Sequence, residues 1–112
     1  MATFIGTSPA WSATPRRWRA QEYELTPTFD SRKSFYGKAT VRRYATEGMN
    51  SLELKSYGKP VARVRYLPDG TKDVDLLPPW DTSQTTVRHV KEFLKQQGFK
   101  ADTKAQMERD YL

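Results

Sequence analysis

The sequence predicts an α+β fold, in which a small four-stranded antiparallel meander packs on one C-terminal amphipathic helix behind an extended N-terminal arm. Two observations predict it. Between residues 34 and 77 apolar and polar side chains alternate, as they do in strands that bury one face. Over residues 81–97 the apolar residues instead recur at helical spacing. A helix of this kind is what a single sheet needs to cover its apolar face.

Turn signals divide the alternating region into four predicted strands, which span residues 34–44, 51–57, 61–67 and 73–77. Glycine and proline pairs break the alternation, because glycine accepts a positive φ and proline cannot donate to a ladder. The three connections and the end of the last strand are marked by Glu47-Gly48, Gly58-Lys59-Pro60, Pro68-Asp69-Gly70 and Pro78-Pro79. A meander is the simplest topology for such short connections.

The predicted helix has a start signal, an end signal and an apolar stripe. Asp81, three residues before Gln84, fits a start that resembles a capping box. Gly98 stands where a helix-ending glycine belongs, with Phe99 placed for the accompanying hydrophobic contact. The apolar stripe consists of Val87, Val90, Phe93 and Leu94. The helix is therefore expected to cover the sheet with this stripe.

The chain divides into three zones. Residues 1–33 contain three prolines, several arginines and two tryptophans without a regular period, which predicts an extended basic arm. Residues 34–99 form the predicted ββββα domain. Residues 100–112 are a polar tail with a short helical tendency.

Composition excludes several kinds of chemistry. The 112 residues contain no cysteine and one histidine, so a disulfide scaffold, a zinc ribbon and a thiol nucleophile are excluded, and a histidine-based triad is not expected. His89 has no marked nucleophile or acid beside it, and we expect a structural role. Turn and cap roles account for Asp69 and Asp81 without a metal, and Asp73 and Asp75, which point the same way from a strand, offer too few oxygen ligands for calcium or magnesium. The prediction is a non-enzymatic protein with no metal, no cofactor and no membrane partner.

The net charge of +6 and the pI near 9.7 predict a nucleic acid or a nucleoprotein complex as partner. Tyrosines on the sheet face opposite the helix are expected to stack on unpaired bases: Tyr36, Tyr44 and Tyr57. Cations of the arm, the same sheet face and a helical stripe are expected to contact phosphates: Arg16, Arg17, Arg19, Lys38, Arg42, Lys55, Arg63, Arg65, Arg88, Lys91 and Lys95. An ordinary solvated sheet face, or a face covered by the arm, is the structural alternative.

Two tryptophans in the arm leave a second function open. Trp11 and Trp18 flank Pro15-Arg16-Arg17, and tryptophan and arginine are enriched at the centres of protein interfaces. The arm is therefore expected to dock on a protein, which favours an inhibitor of a host defence machine, similar to an anti-CRISPR protein. A third alternative is a minor virion component whose arm laces into a neighbouring subunit.

Three segments carry a resemblance to a family. Lys33-Ser34-Phe35-Tyr36-Gly37-Lys38-Ala39, Ser56-Tyr57-Gly58-Lys59-Pro60-Val61-Ala62 and the stretch from Ser83 to Leu94 resemble small proteins of unknown function from bacteriophages and bacterial mobile elements. Those proteins show an S-Y-x-x-x-V-A segment followed by S-x-T-T-x-R-H-x-x-E-F-L. The resemblance covers residues 33–97 and implies no activity. It implies an accessory protein acting in the cytoplasm of a bacterial host, or in the virion.

Overall fold

A computed structural model describes residues 21–46 and 49–112 as one sheet and two helices. The five strands are antiparallel and lie in the sheet in chain order. They are β1 (Gln21–Glu24), β2 (Ala39–Thr46), β3 (Met49–Ser56), β4 (Lys59–Tyr66) and β5 (Lys72–Leu76). The helices are α1 (Gln84–Gln96) and α2 (Lys104–Tyr111).

The α+β class and the antiparallel meander are confirmed, but the predicted number of four strands is wrong. The additional strand is β1, which lies within the zone predicted as an arm and pairs with β2, so that Tyr23 stands opposite Val41. All four residues of β1 are exposed. Because β1 is an exposed edge strand, its sequence shows no alternation of apolar and polar residues that would predict a strand. Its pairing with β2 depends on backbone hydrogen bonds.

The core lies between the sheet and α1. Leu54 of β3 stands between Val41 of β2 and Ala62 of β4, and all three side chains are buried. The stripe predicted for the helix covers them: Val90, Phe93 and Leu94 are fully buried, and Val87 packs at the margin of the core. This apolar layer orients α1 and thereby positions the residues of its first two turns at one end of the sheet.

The two ends of α1 compare differently with the prediction. The N-cap is Ser83, whose Oγ accepts the N–H of Thr86 at 3.1 Å. Asp81 is therefore not the cap, and its carboxylate lies 3.7 Å from Lys104 instead. At the other end the N–H groups of Gly98 and Phe99 donate to the carbonyls of Lys95 and Leu94, with Gly98 at φ 86°. This is the predicted Schellman ending.

The predicted polar tail, for which the sequence indicates a short helical tendency, contains a second helix, α2, in addition to the single helix of the predicted domain. Thr103 caps it by accepting the N–H of Gln106 at 3.0 Å. Met107 is fully buried, and Tyr111 meets Phe99 edge to face at 6.1 Å. Eight residues with so few apolar side chains show no clear period, so packing rather than patterning fixes this helix. Neither described helix is long and apolar enough to cross a membrane.

Candidate functional site at two tyrosine–glycine turns

The sheet face opposite α1, called the open face below, carries five of the residues predicted for nucleic-acid binding. The register places Arg42 beside Glu53 and Arg63, and places Tyr44 in the same row as Arg65. Lys55 lies opposite Thr40 on this face. The predicted grouping of Arg42, Tyr44, Lys55, Arg63 and Arg65 on one face therefore agrees with the register.

Carboxylates neutralise much of the open face. Arg65 contacts Asp73 at 2.9 Å and Asp75 at 3.0 Å, and the hydrogen bond with Asp73 raises the pKa of the guanidinium. Arg63 pairs with the largely buried Glu53 at 3.1 Å, and Lys55 lies 3.8 Å from Glu22. Among the described residues, the four cations of this face share it with five carboxylates: Glu22, Glu24, Glu53, Asp73 and Asp75. The face is a network of ion pairs rather than a surface of free positive charge.

Arg42 makes a different contact on the open face. Its guanidinium lies 4.9 Å from the centre of the Tyr44 ring, within the range of a cation–π contact. Tyr44 is thus engaged by its own strand neighbour. The arm residues predicted to bind nucleic acid or protein, Trp11, Arg16, Arg17, Trp18 and Arg19, lie outside the described residues.

The other two tyrosines lie in turns at one end of the sheet. Tyr57-Gly58 is the two-residue loop between β3 and β4, and Tyr36-Gly37 forms a turn just before β2, closed by the N–H of Lys38 donating to Phe35 at 3.0 Å. The N–H of Tyr57 donates to the carbonyl of Lys38 at 2.7 Å, which joins the two turns side by side. We call them the paired turns. They correct the expectation that Tyr36 and Tyr57 project from the sheet face.

The paired turns hold both tyrosines in a left-handed conformation. Tyr36 has φ 55° and Tyr57 has φ 53°, each followed by a glycine of positive φ. Two successive positive φ angles are typical of type I′ turns, where Asn, Asp and Gly are preferred at the first position. A bulky aromatic residue is uncommon in this region and carries a conformational cost. Both side chains are nevertheless in solvent, 77% and 55% exposed, so the core does not require them.

A cleft of about 230 Å³ lies beside the paired turns, and we call it the turn cleft. Its described lining includes three cations and no carboxylate. The charged and ring-bearing polar side chains of the lining are Arg32, Tyr36, Lys38, Tyr57, Arg88 and His89. Among the described residues Arg32 and Lys38 make no ion pair, whereas Arg88 contacts Asp30 at 3.3 Å. The first turn of α1, which carries no acidic residue, adds the positive end of the helix dipole.

His89 forms the floor of the turn cleft and is held from both sides. Its Nδ1 lies 2.8 Å from Ser56 Oγ, and its ring meets Phe35 edge to face at 4.6 Å. Tyr57 lies over it at 5.9 Å between ring centres. Burial lowers its pKa from 6.5 to about 4, against an opposing effect of Asp30. The imidazole is therefore neutral at pH 7, and its ring forms an aromatic floor for the cleft.

The loop that carries Arg32 is fastened to α1 by a buried carboxylate. Glu92 is 2% exposed and accepts the N–H groups of Thr28, Phe29 and Asp30 at 2.8 to 2.9 Å. Gln96 joins the same carboxylate and also donates to the carbonyl of Thr26. Glu92 thus holds residues 28–30 against α1. Because Arg32 follows this segment directly, its position beside the cleft depends on Glu92.

Sequence reasoning missed Arg32 and Glu92, and it missed that Tyr36 and Tyr57 belong together. One signal was present in the sequence: the tripeptide Tyr-Gly-Lys occurs twice, at residues 36–38 and 57–59. A repeated aromatic–glycine pair next to a lysine is typical of two similar turns. No spacing in the sequence indicates that the turns are neighbours, because that follows from the pairing of β2 with β3.

The helical stripe predicted for phosphate binding follows α1 away from this cleft. Arg88 lines the cleft, Lys91 lies one turn further along, and Lys95 stands in the last turn. Lys91 and Lys95 make no ion pair with any other described residue. The turn cleft and the helical stripe therefore meet at Arg88.

The protein is a small α+β protein, in which α1 covers one face of a single antiparallel sheet. An aromatic and cationic cleft lies at one end of that sheet. The chain belongs to DUF8033, a family of unknown function whose model matches residues 23–109. The match includes both paired turns and all of α1. No curated protein and no solved structure is similar to the chain.

Proposed function

We propose that this protein binds single-stranded nucleic acid in the turn cleft and that it does so without catalysing a reaction. One observation carries the proposal: two exposed tyrosines are held side by side at unfavourable φ angles, over a cleft whose charged lining is cationic. Conformational strain at exposed side chains indicates a function in the solvent-facing groups themselves.

The chemistry of the cleft suits an unpaired strand. Tyrosine rings offer flat surfaces on which any base can stack, and each stacked base contributes about 1–3 kcal/mol. Arg32 and Lys38 make no ion pair with a described carboxylate, although Asp30 and Glu24 accept the N–H groups of Arg32 and Gly37, so both cations are available to phosphates. A duplex has no exposed base faces for the tyrosines, which is why the proposal names a single strand.

The open face supports this role less well. Arg63 and Arg65 already contact carboxylates at 3.1 Å or less, and phosphate binding there requires those contacts to be exchanged. Tyr44 is covered in part by Arg42. We therefore locate the main contact at the paired turns rather than on the sheet.

The test is fluorescence anisotropy with labelled single-stranded DNA and RNA homopolymers at several salt concentrations. The double variant Tyr36→Asn/Tyr57→Asn keeps residues that tolerate positive φ and removes both rings. We expect it to weaken binding by about 30-fold or more, because two lost stacking contacts cost about 2 kcal/mol at the least. Removing Arg32 and Lys38 is expected to lower the salt slope by about 1.4, at roughly 0.7 per phosphate contact on a single strand.

A matched control is Tyr44→Thr, which removes an aromatic ring from the open face and keeps a strand-forming residue. It is expected to bind like the wild type. Equal weakening by Tyr44→Thr and by the double variant contradicts the assignment to the turns. Absence of salt-dependent binding to any homopolymer contradicts the function.

The protein-docking alternative makes a different prediction. If the arm anchors the protein on a host protein, Trp11→Ala/Trp18→Ala abolishes a complex that survives nuclease treatment and leaves nucleic-acid binding intact. Affinity purification from a bacterial host, with and without nuclease, separates the two functions. A phage or mobile-element setting is part of the proposal, and such a host is the appropriate one for this experiment.

A further inference from the structure

Beside the turn cleft, two further clefts lined by described residues adjoin the N-terminal part of α1. A second cleft of about 670 Å³ lies on the other side of Arg88, and a third of about 250 Å³ lies on the other side of Tyr57. Arg88 lines both the turn cleft and the second cleft, and Tyr57 lines both the turn cleft and the third. The second and third clefts share Thr82 and Ser83, so the three clefts lie around the start of α1.

Each of these clefts carries lysine or arginine. Lys59, the lysine of the second Tyr-Gly-Lys turn, lines the third cleft, while Lys91 and Lys104 line the second. Lys91 makes no ion pair with any described residue, and Lys104 lies 3.7 Å from Asp81 with both side chains about half exposed. An exposed pair of this kind is weak and is readily exchanged for a phosphate contact. Asp81 is the carboxylate that opposes an anion in the second cleft.

We propose that a single strand bound at the paired turns continues past Arg88 into the second cleft, where Lys91 and Lys104 contact its phosphates. This inference rests on the proposed function. It assigns the paired turns to base stacking and the second cleft, where the described lining has no aromatic ring, to backbone contact alone. The bound length is then set by the turn cleft and the second cleft together rather than by the two tyrosines.

The experiment compares a tetranucleotide with a decanucleotide on wild type, Lys91→Glu and Lys95→Glu. The two variants carry the same charge reversal on the same helix, four residues apart, and only Lys91 lines the second cleft. We expect Lys91→Glu to weaken the decanucleotide about tenfold and to change the tetranucleotide little, and Lys95→Glu to change neither appreciably. Asp81→Asn is expected to strengthen the decanucleotide, because it removes the opposing carboxylate.

The outcomes separate this inference from the function beneath it. If the tetranucleotide binds wild type and the two lysine variants weaken the decanucleotide equally, the attraction is diffuse and the continued path is wrong, while the turn cleft stands. The same holds if Lys91→Glu weakens both lengths alike. If neither oligonucleotide binds wild type, the proposed function itself fails.

Discussion

The open face and the turn cleft contain similar residues and differ in what surrounds them. Both have tyrosines beside arginines and lysines. On the open face three of the four cations contact carboxylates of other strands, Arg65 contacts two, and Arg42 contacts the Tyr44 ring. At the turn cleft Arg32 and Lys38 have no ion-pair partner among the described residues, and the tyrosines are strained and exposed. Positive charge and aromatic rings indicate a binding site only where nothing in the fold already uses them.

The first prediction, with the largest expected effect, concerns the support of the turn cleft. Glu92→Ala leaves three backbone N–H groups of residues 28–30 without their charged acceptor. We expect the variant to lower the free energy of unfolding by about 3–4 kcal/mol, because it loses hydrogen bonds to a charged group and leaves donors unpaired. Urea unfolding measures this as a shift of the midpoint.

The control for Glu92→Ala is Glu108→Ala, which removes an exposed carboxylate from the other helix. It is expected to change the free energy of unfolding by less than about 0.5 kcal/mol. If both variants are equally stable, the loop is not held by Glu92. The cleft then has no special support that distinguishes it from the open face.

The second prediction concerns the floor of the cleft and acid. The folded pKa of His89 is about 4, below its ordinary value of 6.5, so the unfolded chain takes up the proton first as pH falls. The contribution of neutral His89 to the free energy of unfolding is therefore complete above pH 6.5 and is lost as pH falls toward 4. The loss reaches roughly 3 kcal/mol, at about 1.4 kcal/mol per pH unit. Unfolding measured across this range should show the loss, and His89→Gln should reduce it. A wild type and a His89→Gln variant with the same pH dependence would show that this imidazole is not buried neutral.

The third prediction tests whether the tyrosines of the paired turns lower the stability of the protein. Tyr36 is 77% exposed and has φ 55°, so Tyr36→Asn loses little packing and relieves strain. We expect the variant to be about 0.5–1 kcal/mol more stable and to bind the single strand more weakly. Thermal unfolding and anisotropy on the same preparation measure both effects. A variant that is less stable, with unchanged binding, would make Tyr36 a structural residue.

Much of the fold could be predicted from the sequence because one side of each element is apolar. The alternation through β3 and β4 correctly assigned Leu52, Leu54, Ala62 and Val64 to the core, and the stripe Val90, Phe93 and Leu94 covers them. β1 and α2 gave no such signal, since β1 is polar throughout and α2 buries little more than Met107 and Gln106. The position of β1 follows from strand pairing, which depends on the fold already formed, whereas α2 begins at a local cap, where Thr103 accepts the N–H of Gln106.

The site was only partly predictable for a related reason. Alternation assigned Arg42, Arg63 and Arg65 to one face correctly, but no sequence period reports which carboxylate lies across the sheet from each. In the sequence Asp73 and Asp75 lie in an acidic segment apart from the basic strands. The pairing of β4 with β5 places both carboxylates at Arg65. The juxtaposition of Tyr36 with Tyr57 likewise follows from the pairing of β2 with β3.

The last and smallest effect is expected from a matched pair, Arg65→Gln on the open face and Arg32→Gln at the turn cleft. Arg65 is about one-third exposed, so its loss should cost at most about 1 kcal/mol and less in high salt. Arg32 is exposed and unpaired among the described residues, so its loss should not lower stability. For binding the order reverses: Arg32→Gln should weaken the single strand severalfold and Arg65→Gln should leave it unchanged, because only Arg32 is free to meet a phosphate. If the two variants weaken binding equally, net charge decides affinity, and the distinction between a paired and an unpaired arginine has no functional meaning here.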